Sequence, residues 1–103
     1  MQLALEQFRV NFFKVMTHPL RIKILELLST GPKSVHELQS LLKIGAILTQ
    51  QLSILRAKHM ITSHKVGTHI VFMIQDPLIS HLLDVAKQIF NNQLTSFIKI
   101  LEQ

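Results

Sequence analysis

The sequence predicts a mainly α-helical domain with one small β-hairpin. Three observations indicate this fold class: capped amphipathic segments recur along the chain, two β-rich runs flank Gly67, and an apolar repeat at helical spacing closes the sequence. The length of 103 residues fits one domain that spans residues 1–103. The elements are therefore expected to pack around a single core.

Two helices are predicted in the first third of the chain. The first lies within residues 1–17, where the recurring apolar residues are Leu5, Phe8, Phe12 and Val15 or Met16. The second runs from Pro19 to Leu28, and residues 29–32 close it with the sequence Ser-Thr-Gly-Pro. Its apolar stripe consists of Leu20, Ile24, Leu27 and Leu28. We interpret this helix as scaffold, and we expect His18 to cap it or to pack near Pro19.

A short capped helix is predicted to begin at Ser34. Ser34 and Glu37 have the spacing in which the serine hydroxyl and the glutamate carboxylate each accept a hydrogen bond from a free amide of the first turn. The apolar residues expected to face the core are Val35, Leu38, Leu41 and Leu42. Gly45 then fits the turn between two crossing helices.

The next helix completes a helix-turn-helix over residues 34–58 and has a polar outer face. Its buried edge consists of Leu48, Leu52 and Leu55, at i, i+4 and i+7. The residues left toward solvent are Thr49, Gln50, Ser53 and Arg56. Their side chains can hydrogen-bond base edges or phosphates, and a helix of this width enters the major groove. An ordinary solvated face has the same pattern, so its place after a capped helix and a glycine turn is what favours DNA readout.

A β-hairpin, which we call the wing, is predicted over residues 60–74 with its tip near Gly67. His64, Lys65 and His69 flank the tip, where side chains can follow a phosphate backbone or reach into a minor groove. Lys65 supplies charge at any ordinary pH, whereas histidines are mostly neutral near pH 7.

A long C-terminal helix is predicted from Pro77 to Glu102. Asp76 suits the N-cap and Pro77 the first helical position. The recurring apolar residues are Leu78, Leu82, Val85, Ile89, Leu94, Phe97 and Leu101. At 1.5 Å per residue the helix would measure about 38 Å, which is long for a monomer of 11.8 kDa.

The apolar content favours a homodimer. Hydrophobic residues make up 48% of the sequence and the mean hydropathy is positive, more apolar surface than a lone small domain hides easily. Residues 1–17 and 77–103 are the expected dimerisation helices. No membrane span is expected, because polar residues such as Asp84 and Lys87 interrupt the last helix. Glu6 breaks any signal-peptide core, so we expect a cytoplasmic protein.

The charge balance favours a polyanionic partner. The chain has 11 Lys and Arg against 6 Asp and Glu, a formal net charge of +5 and a pI of about 10.0. Double-stranded DNA is the expected partner. Many small basic proteins have no nucleic-acid partner, so the charge alone does not decide this.

The order of elements is typical of a winged helix-turn-helix, and the residues resemble the ArsR/SmtB-type repressors of bacteria and archaea over nearly the whole chain. Residues 17–25 are similar to the family's A-[DH]-P-x-R-x-x-I-L opening, and residues 48–56 to its V-S-x-H-L-x-x-L-R recognition helix. Residues 67–74 resemble its wing. The resemblance implies a small homodimer that releases DNA when an effector binds.

Four positions depart from the family pattern. Thr49 stands where serine is usual, Gln51 where histidine is usual, and Thr68 where a basic residue commonly follows the wing glycine. Ile47 replaces a small polar residue, and an exposed isoleucine there would contact thymine methyl groups, a partner or nothing. The expected DNA-contacting residues are Thr49, Gln50, Gln51, Ser53, Arg56, Lys58, His64, Lys65, Thr68 and His69.

The sensing chemistry of the family is not matched. The sequence contains no cysteine, which excludes thiolate metal sensing and thiol redox sensing. The family's second metal site, built from D-x-H and H-x-x-[HE] pairs, is missing too. His81 and Asp84 lie three residues apart, so a two-fold axis could bring two such pairs to zinc or nickel, although an exposed charge pair is the commoner use of this spacing. We expect no cofactor and no metal, and leave an effector or partner protein open.

No catalytic constellation is evident: the chain lacks a Gly-rich phosphate loop, a Ser/His/Asp set and paired carboxylates. We predict a sequence-specific transcriptional regulator, a homodimer on an inverted-repeat operator whose half-sites lie near one helical turn or a multiple apart. Repression rather than activation is implied only by the family resemblance. The alternative is a dimeric winged-helix accessory protein that binds another protein through Ile47, Ile54 or the long helices.

Overall fold

The computed structural model describes residues 2–103, which form five helices and three short strands. Their order is α1 (Gln2–Val15), α2 (Pro19–Leu28), β1 (Lys33–Ser34), α3 (Val35–Leu42), α4 (Ala46–Ala57), β2 (Ile61–Val66), β3 (His69–Ile74) and α5 (Pro77–Glu102). The predicted mainly α-helical architecture with a β-hairpin is confirmed.

Capping residues determine where three of the helices begin. The side chains of His18 and Asp76 each accept a hydrogen bond from the amide two residues on, at 3.1 and 2.9 Å, and a proline follows each as the first helical residue. Ser34 and Glu37 form the reciprocal capping box. These bonds satisfy amides that have no partner within their own helix. Helices α2, α3 and α5 therefore begin where the sequence predicted.

The sheet contains a third strand that the sequence analysis missed. Strand β1 pairs antiparallel with β3, which also pairs with β2, so the order across the sheet is β1-β3-β2. Two residues are too few to show the alternation by which a strand is recognised. Because Ser34 ends β1 and also caps α3, this strand ties the start of the helix-turn-helix to the wing.

The core lies between α2, α3, α4 and the sheet. The buried apolar residues are Val15, Ile24, Leu25, Leu28, Leu38, Leu48, Leu52, Leu55, Met60, Ile61, Phe72 and Ile79. Leu41, which we expected to face this core, is 57% exposed. It lies about 100° around the helix from Leu42, and the buried side of α3 is already provided by Leu38, with Leu42 at its margin.

Helices α1 and α5 extend beyond this core. Among the residues described, α1 buries only Val15 and α5 only Ile79. The radius of gyration is 16.3 Å, against about 13 Å for a compact domain of this length. None of the helices in residues 2–103 combines the length and apolar content needed to cross a bilayer. Most of the apolar side chains of the two end helices are consequently exposed to solvent.

Candidate nucleic-acid interface

Helix α4 presents a row of polar side chains to solvent. The row consists of Thr49, Gln50, Ser53 and Arg56, all exposed, while Leu48, Leu52 and Leu55 are buried on the other side. The two sets separate because successive residues lie about 100° apart around the helix. The row carries hydroxyl, amide and guanidinium groups, which can donate and accept hydrogen bonds at base edges.

Gln51 does not belong to this row, which corrects its place in the predicted set. It lies on the buried side of α4, between the leucines, and is only 7% exposed. Its Oε1 accepts a hydrogen bond from Nε of Arg21 on α2 at 2.9 Å. A side chain buried and bonded in this way is not available to a base edge.

The turn between α3 and α4 is closed by Gln39. Its Oε1 accepts hydrogen bonds from the amides of Ile44 and Gly45, and its Nε2 donates to the Gly45 carbonyl, all at 2.9 Å. Gly45 adopts φ 65° and ψ −141°, a conformation that only glycine reaches at little cost. The glycine was predicted to make this turn. Gln39 was missed, because a glutamine on a short helix carries no sequence signal for a bond to a loop.

The wing joins the row through Arg56, whose Nη1 donates a hydrogen bond to Ser63 Oγ on β2 at 3.2 Å. Side chains alternate between the two faces of a strand, so Lys65 shares the face of Ser63. The strand register places Lys65 opposite Ile70. Arg56 and Lys65, two of the three Lys and Arg residues in the predicted set, thus lie on the same side of the hairpin.

The other predicted wing residues occupy different positions. Both histidines, His64 and His69, lie on the opposite face of the hairpin from Lys65, as the strand register requires. Thr68 follows Gly67 in the two-residue turn between the strands. Thr68 and His69 also line a shallow groove against the first turn of α3. All three are exposed, so the wing tip offers polar groups on two faces.

Lys58 lies apart from the row. It caps the C-terminal end of α4 and lines a groove together with Asp76 and Leu78 at the start of α5. The structure therefore groups the exposed row of α4 with Lys65 on the wing. Lys58 lies outside this group, beside the start of α5.

The charge of the chain is concentrated around the row. Between Glu37 and Asp76 the sequence has four basic residues and no acidic residue, whereas the remainder of the chain has seven basic and six acidic residues. The four are Lys43, Arg56, Lys58 and Lys65. The +5 net charge therefore arises almost entirely from the segment that carries the row and the wing. Lys43, exposed at the C-terminal end of α3 in a left-handed conformation, was not among the predicted residues.

Metal ligands do not converge in the described part of the chain. No group of three His, Cys, Asp or Glu side chains able to hold a metal ion occurs there. Asp84 Oδ2 accepts a hydrogen bond from Gln88 Nε2 at 2.8 Å, one turn along α5.

Comparison with known proteins identifies relatives of the same kind. No protein-family model matches the chain. Over 101 residues the chain is 36% identical to Rv0081 of Mycobacterium tuberculosis, described as an uncharacterized HTH-type transcriptional regulator, and the match covers 95% of this chain and 88% of that protein. The crystal structure of Rv0081 aligns with a TM-score of 0.81 at 35% identity, covering 91% of this chain and 96% of that one.

Two further solved structures are similar. The transcriptional repressor BigR from Xylella fastidiosa aligns with a TM-score of 0.74 at 26% identity, over 87% of this chain and 96% of that one. Mb0332 from Mycobacterium bovis, a homodimeric winged helix-turn-helix DNA-binding domain and possible ArsR-family regulator, aligns with a TM-score of 0.83, over 90% and 87%. At 18% identity the last match speaks to fold alone. The fold is a winged helix-turn-helix.

Proposed function

The chain belongs to the helix-turn-helix transcriptional regulators, and we propose that it is a homodimeric repressor of the ArsR/SmtB type that binds an inverted-repeat operator. Its relatives are regulators and not enzymes. One observation carries the proposal: the exposed polar row of α4 lies beside a wing, within a segment of four basic and no acidic residues. As DNA is the partner, we place the protein in the cytoplasm.

In the proposed complex α4 enters the major groove and the row reads base edges. Gln50 can bond adenine through its amide, and the hydroxyls of Thr49 and Ser53 can donate or accept at several bases. Arg56 and Lys65 bind phosphates on one side of the wing. Contacts to phosphate position the protein, whereas contacts to bases carry the sequence information. Thr68 and His69 are proposed as further backbone contacts, and Lys58 as a charge acting at longer range.

The two end helices support the homodimer. The chain exposes 7714 Å², against about 5,900 Å² for a compact monomer of this mass. Large apolar side chains are exposed on both end helices: Phe8 is 69% exposed on α1, and Phe90 is 66% exposed on α5. Many exposed apolar side chains on the same two helices are typical of a face that another molecule covers. A second copy is the simplest occupant, since a two-fold axis pairs the same surface with itself.

A two-fold dimer places two recognition helices on one face, related by the same axis. The operator should then be an inverted repeat whose half-sites lie about 34–36 Å apart, or a multiple of this. Repression follows if the operator overlaps the site where polymerase binds.

A second candidate is an accessory protein that works through protein contacts. Ile47 favours it, because this apolar side chain is 48% exposed at the edge of the row. It would serve a protein partner as readily as a thymine methyl group.

Fluorescence anisotropy with duplexes selected from a random pool by the protein itself distinguishes these functions. The dimeric repressor should bind a selected duplex more tightly than a scrambled one and weaken steeply with salt, since binding releases counterions from phosphate. Gln50→Ala and Ser53→Ala should each lower affinity for the selected duplex about tenfold, or about 1.4 kcal/mol, with little change on scrambled DNA. Arg56→Ala should weaken both.

Two results would contradict the proposal. Weak binding that is equal on both duplexes would favour the protein-partner function. Equal losses on both duplexes for Gln50→Ala and Ser53→Ala would remove these residues from base readout. Thr95→Ala on the polar face of α5 is the matched control, because it removes a hydroxyl that bonds only within α5, to the Asn91 carbonyl, and it should leave both affinities unchanged.

A further inference from the structure

One hydrogen bond connects the recognition helix to the helix beneath it. Arg21 on α2 donates from Nε to Gln51 Oε1 at 2.9 Å, across 30 residues of sequence. Gln51 is also the one polar residue that is buried within residues 2–103. A polar side chain is costly to bury without a partner, so the partial burial of this pair is sustained by the bond.

The bond restrains rotation of α4 about its own axis, which the apolar contacts of the helix restrain only weakly. Leu48, Leu52 and Leu55 hold the helix to the core, but apolar packing is largely non-directional. A hydrogen bond to a planar guanidinium is directional. If α4 rolled by 10° about its axis, side-chain tips about 6 Å from the axis would move by about 1 Å. Hydrogen bonds to bases tolerate only about half an ångström.

Helix α2 also borders a groove that it shares with the end helices. Ile22 and Glu26, one residue and five residues after Arg21, line a groove whose other walls are α1 and α5, including Phe13 and Phe90. Helix α2 thus lies between the recognition helix on one side and the two end helices on the other. A shift of α1 or α5 that moves α2 would pull on Gln51 through Arg21.

We propose that Arg21 is a positioning residue for the recognition helix. Its bond to Gln51 sets the roll of α4, and through α2 it couples the presentation of Gln50 and Ser53 to the arrangement of α1 and α5. The inference rests on the proposed DNA-binding function. Arg21 acts through Gln51 and need not touch DNA itself.

A double-mutant cycle on DNA affinity tests this role. Arg21→Ala and Gln51→Ala should each lower affinity for the selected duplex about tenfold and change affinity for scrambled DNA by less than twofold. The double variant should lose no more than either single variant, because both remove the same bond. Lys23→Ala is the matched control: it removes the same charge from an exposed position of α2 and should change affinity for both duplexes equally, by less than twofold.

Two further variants distinguish loss of the hydrogen bond from loss of folding. Gln51→Glu keeps an acceptor for Arg21 and should retain the preference for the selected duplex. The same Gln51→Glu change made together with Arg21→Ala should not retain it. Melting temperatures measured without DNA identify any variant that fails to fold.

Additive losses in the cycle would overturn the proposal, as would an Arg21→Ala loss that is equal on both duplexes and matches Lys23→Ala. The latter would reduce the effect of Arg21→Ala to the loss of one positive charge. A wild-type protein without duplex preference would instead contradict the proposed function. In that case amide hydrogen exchange measured without DNA still tests the positioning role. Arg21→Ala and Gln51→Ala should both accelerate exchange in α4, and Lys23→Ala should not.

Discussion

The middle of the chain and its two ends bury their apolar side chains in different ways. From Ile24 to Phe72 the large apolar residues mostly find partners within the same chain, around the core that supports α4 and the wing. On α1 and α5 the proportion is reversed. The exposed apolar residues there are Leu3, Leu5, Phe8, Val10, Phe13, Leu78, Val85, Ile89, Phe90, Leu94, Phe97, Ile98, Ile100 and Leu101. The unit that we propose reads DNA therefore has its core within one protomer, whereas the end helices leave apolar side chains that the proposed dimer would cover.

Removing a core side chain should have the largest effect on the free energy of unfolding, and it should destabilise the middle of the chain. Leu55 is fully buried on α4, so Leu55→Ala should lower the free energy of unfolding by about 2–5 kcal/mol through the cavity it leaves. Denaturant unfolding followed by circular dichroism, at one fixed protein concentration, measures this. Ile47→Ala removes similar bulk from an exposed position of the same helix and should cost less than about 0.5 kcal/mol. Equal losses would mean that this core does not hold the middle together.

A charge on the end helix should separate protomers without unfolding the middle. Phe97 is 58% exposed on the part of α5 that lies beyond the core, so Phe97→Asp would place a carboxylate in the proposed dimer interface. The dimer dissociation constant should rise by on the order of a hundredfold, or about 2.7 kcal/mol. Sedimentation velocity over a range of concentrations measures it. Thr95→Asp adds the same charge to the polar face of the same turn, and a rise of equal size there would contradict the assigned interface.

Loss of the Gln39 bonds should affect the middle alone. Gln39→Ala leaves two amides and a carbonyl of the α3–α4 turn without their partner, and should lower the free energy of unfolding by about 1–3 kcal/mol. The dimer dissociation constant should stay the same. Ser40→Ala, which removes only a hydroxyl bond back to the His36 carbonyl, should cost far less. A comparable loss from Ser40→Ala would show that the turn does not depend on Gln39.

Local signals made the fold predictable, and the lack of local signals explains what was missed. The caps at Ser34 and Asp76 and the proline after His18 act within a few residues, so the sequence alone predicts where α2, α3 and α5 begin. The exposed row of α4 follows from helical period alone. Strand β1 was missed because its pairing depends on Phe72 and Val71, far along the chain.

The same distinction separates the site residues. The exposure of Gln50 and Ser53 follows from helical phase, and the same phase puts Gln51 on the buried side, three residues after Leu48. Gln51 entered the predicted set because it stands where the family's recognition helix has a histidine, and its bond to Arg21, 30 residues away, has no signal within the helix. Long-range bonds by polar side chains are set by tertiary packing, and no spacing rule along one helix contains them.

The smallest expected effect compares one lysine in the wing with one on the end helix. Lys65 shares the wing face of Ser63 and Arg56, whereas Lys99 lies near the end of α5, far from α4 in the chain. If Lys65 binds phosphate, Lys65→Ala should weaken binding several-fold on every duplex and reduce the slope of log affinity against log salt by about one. Lys99→Ala removes the same charge and should leave the slope unchanged. Anisotropy titrations at four salt concentrations measure both. Equal changes in slope would mean that affinity depends on net charge rather than on where the cations lie. DNA binding would then not distinguish the middle of the chain from its ends.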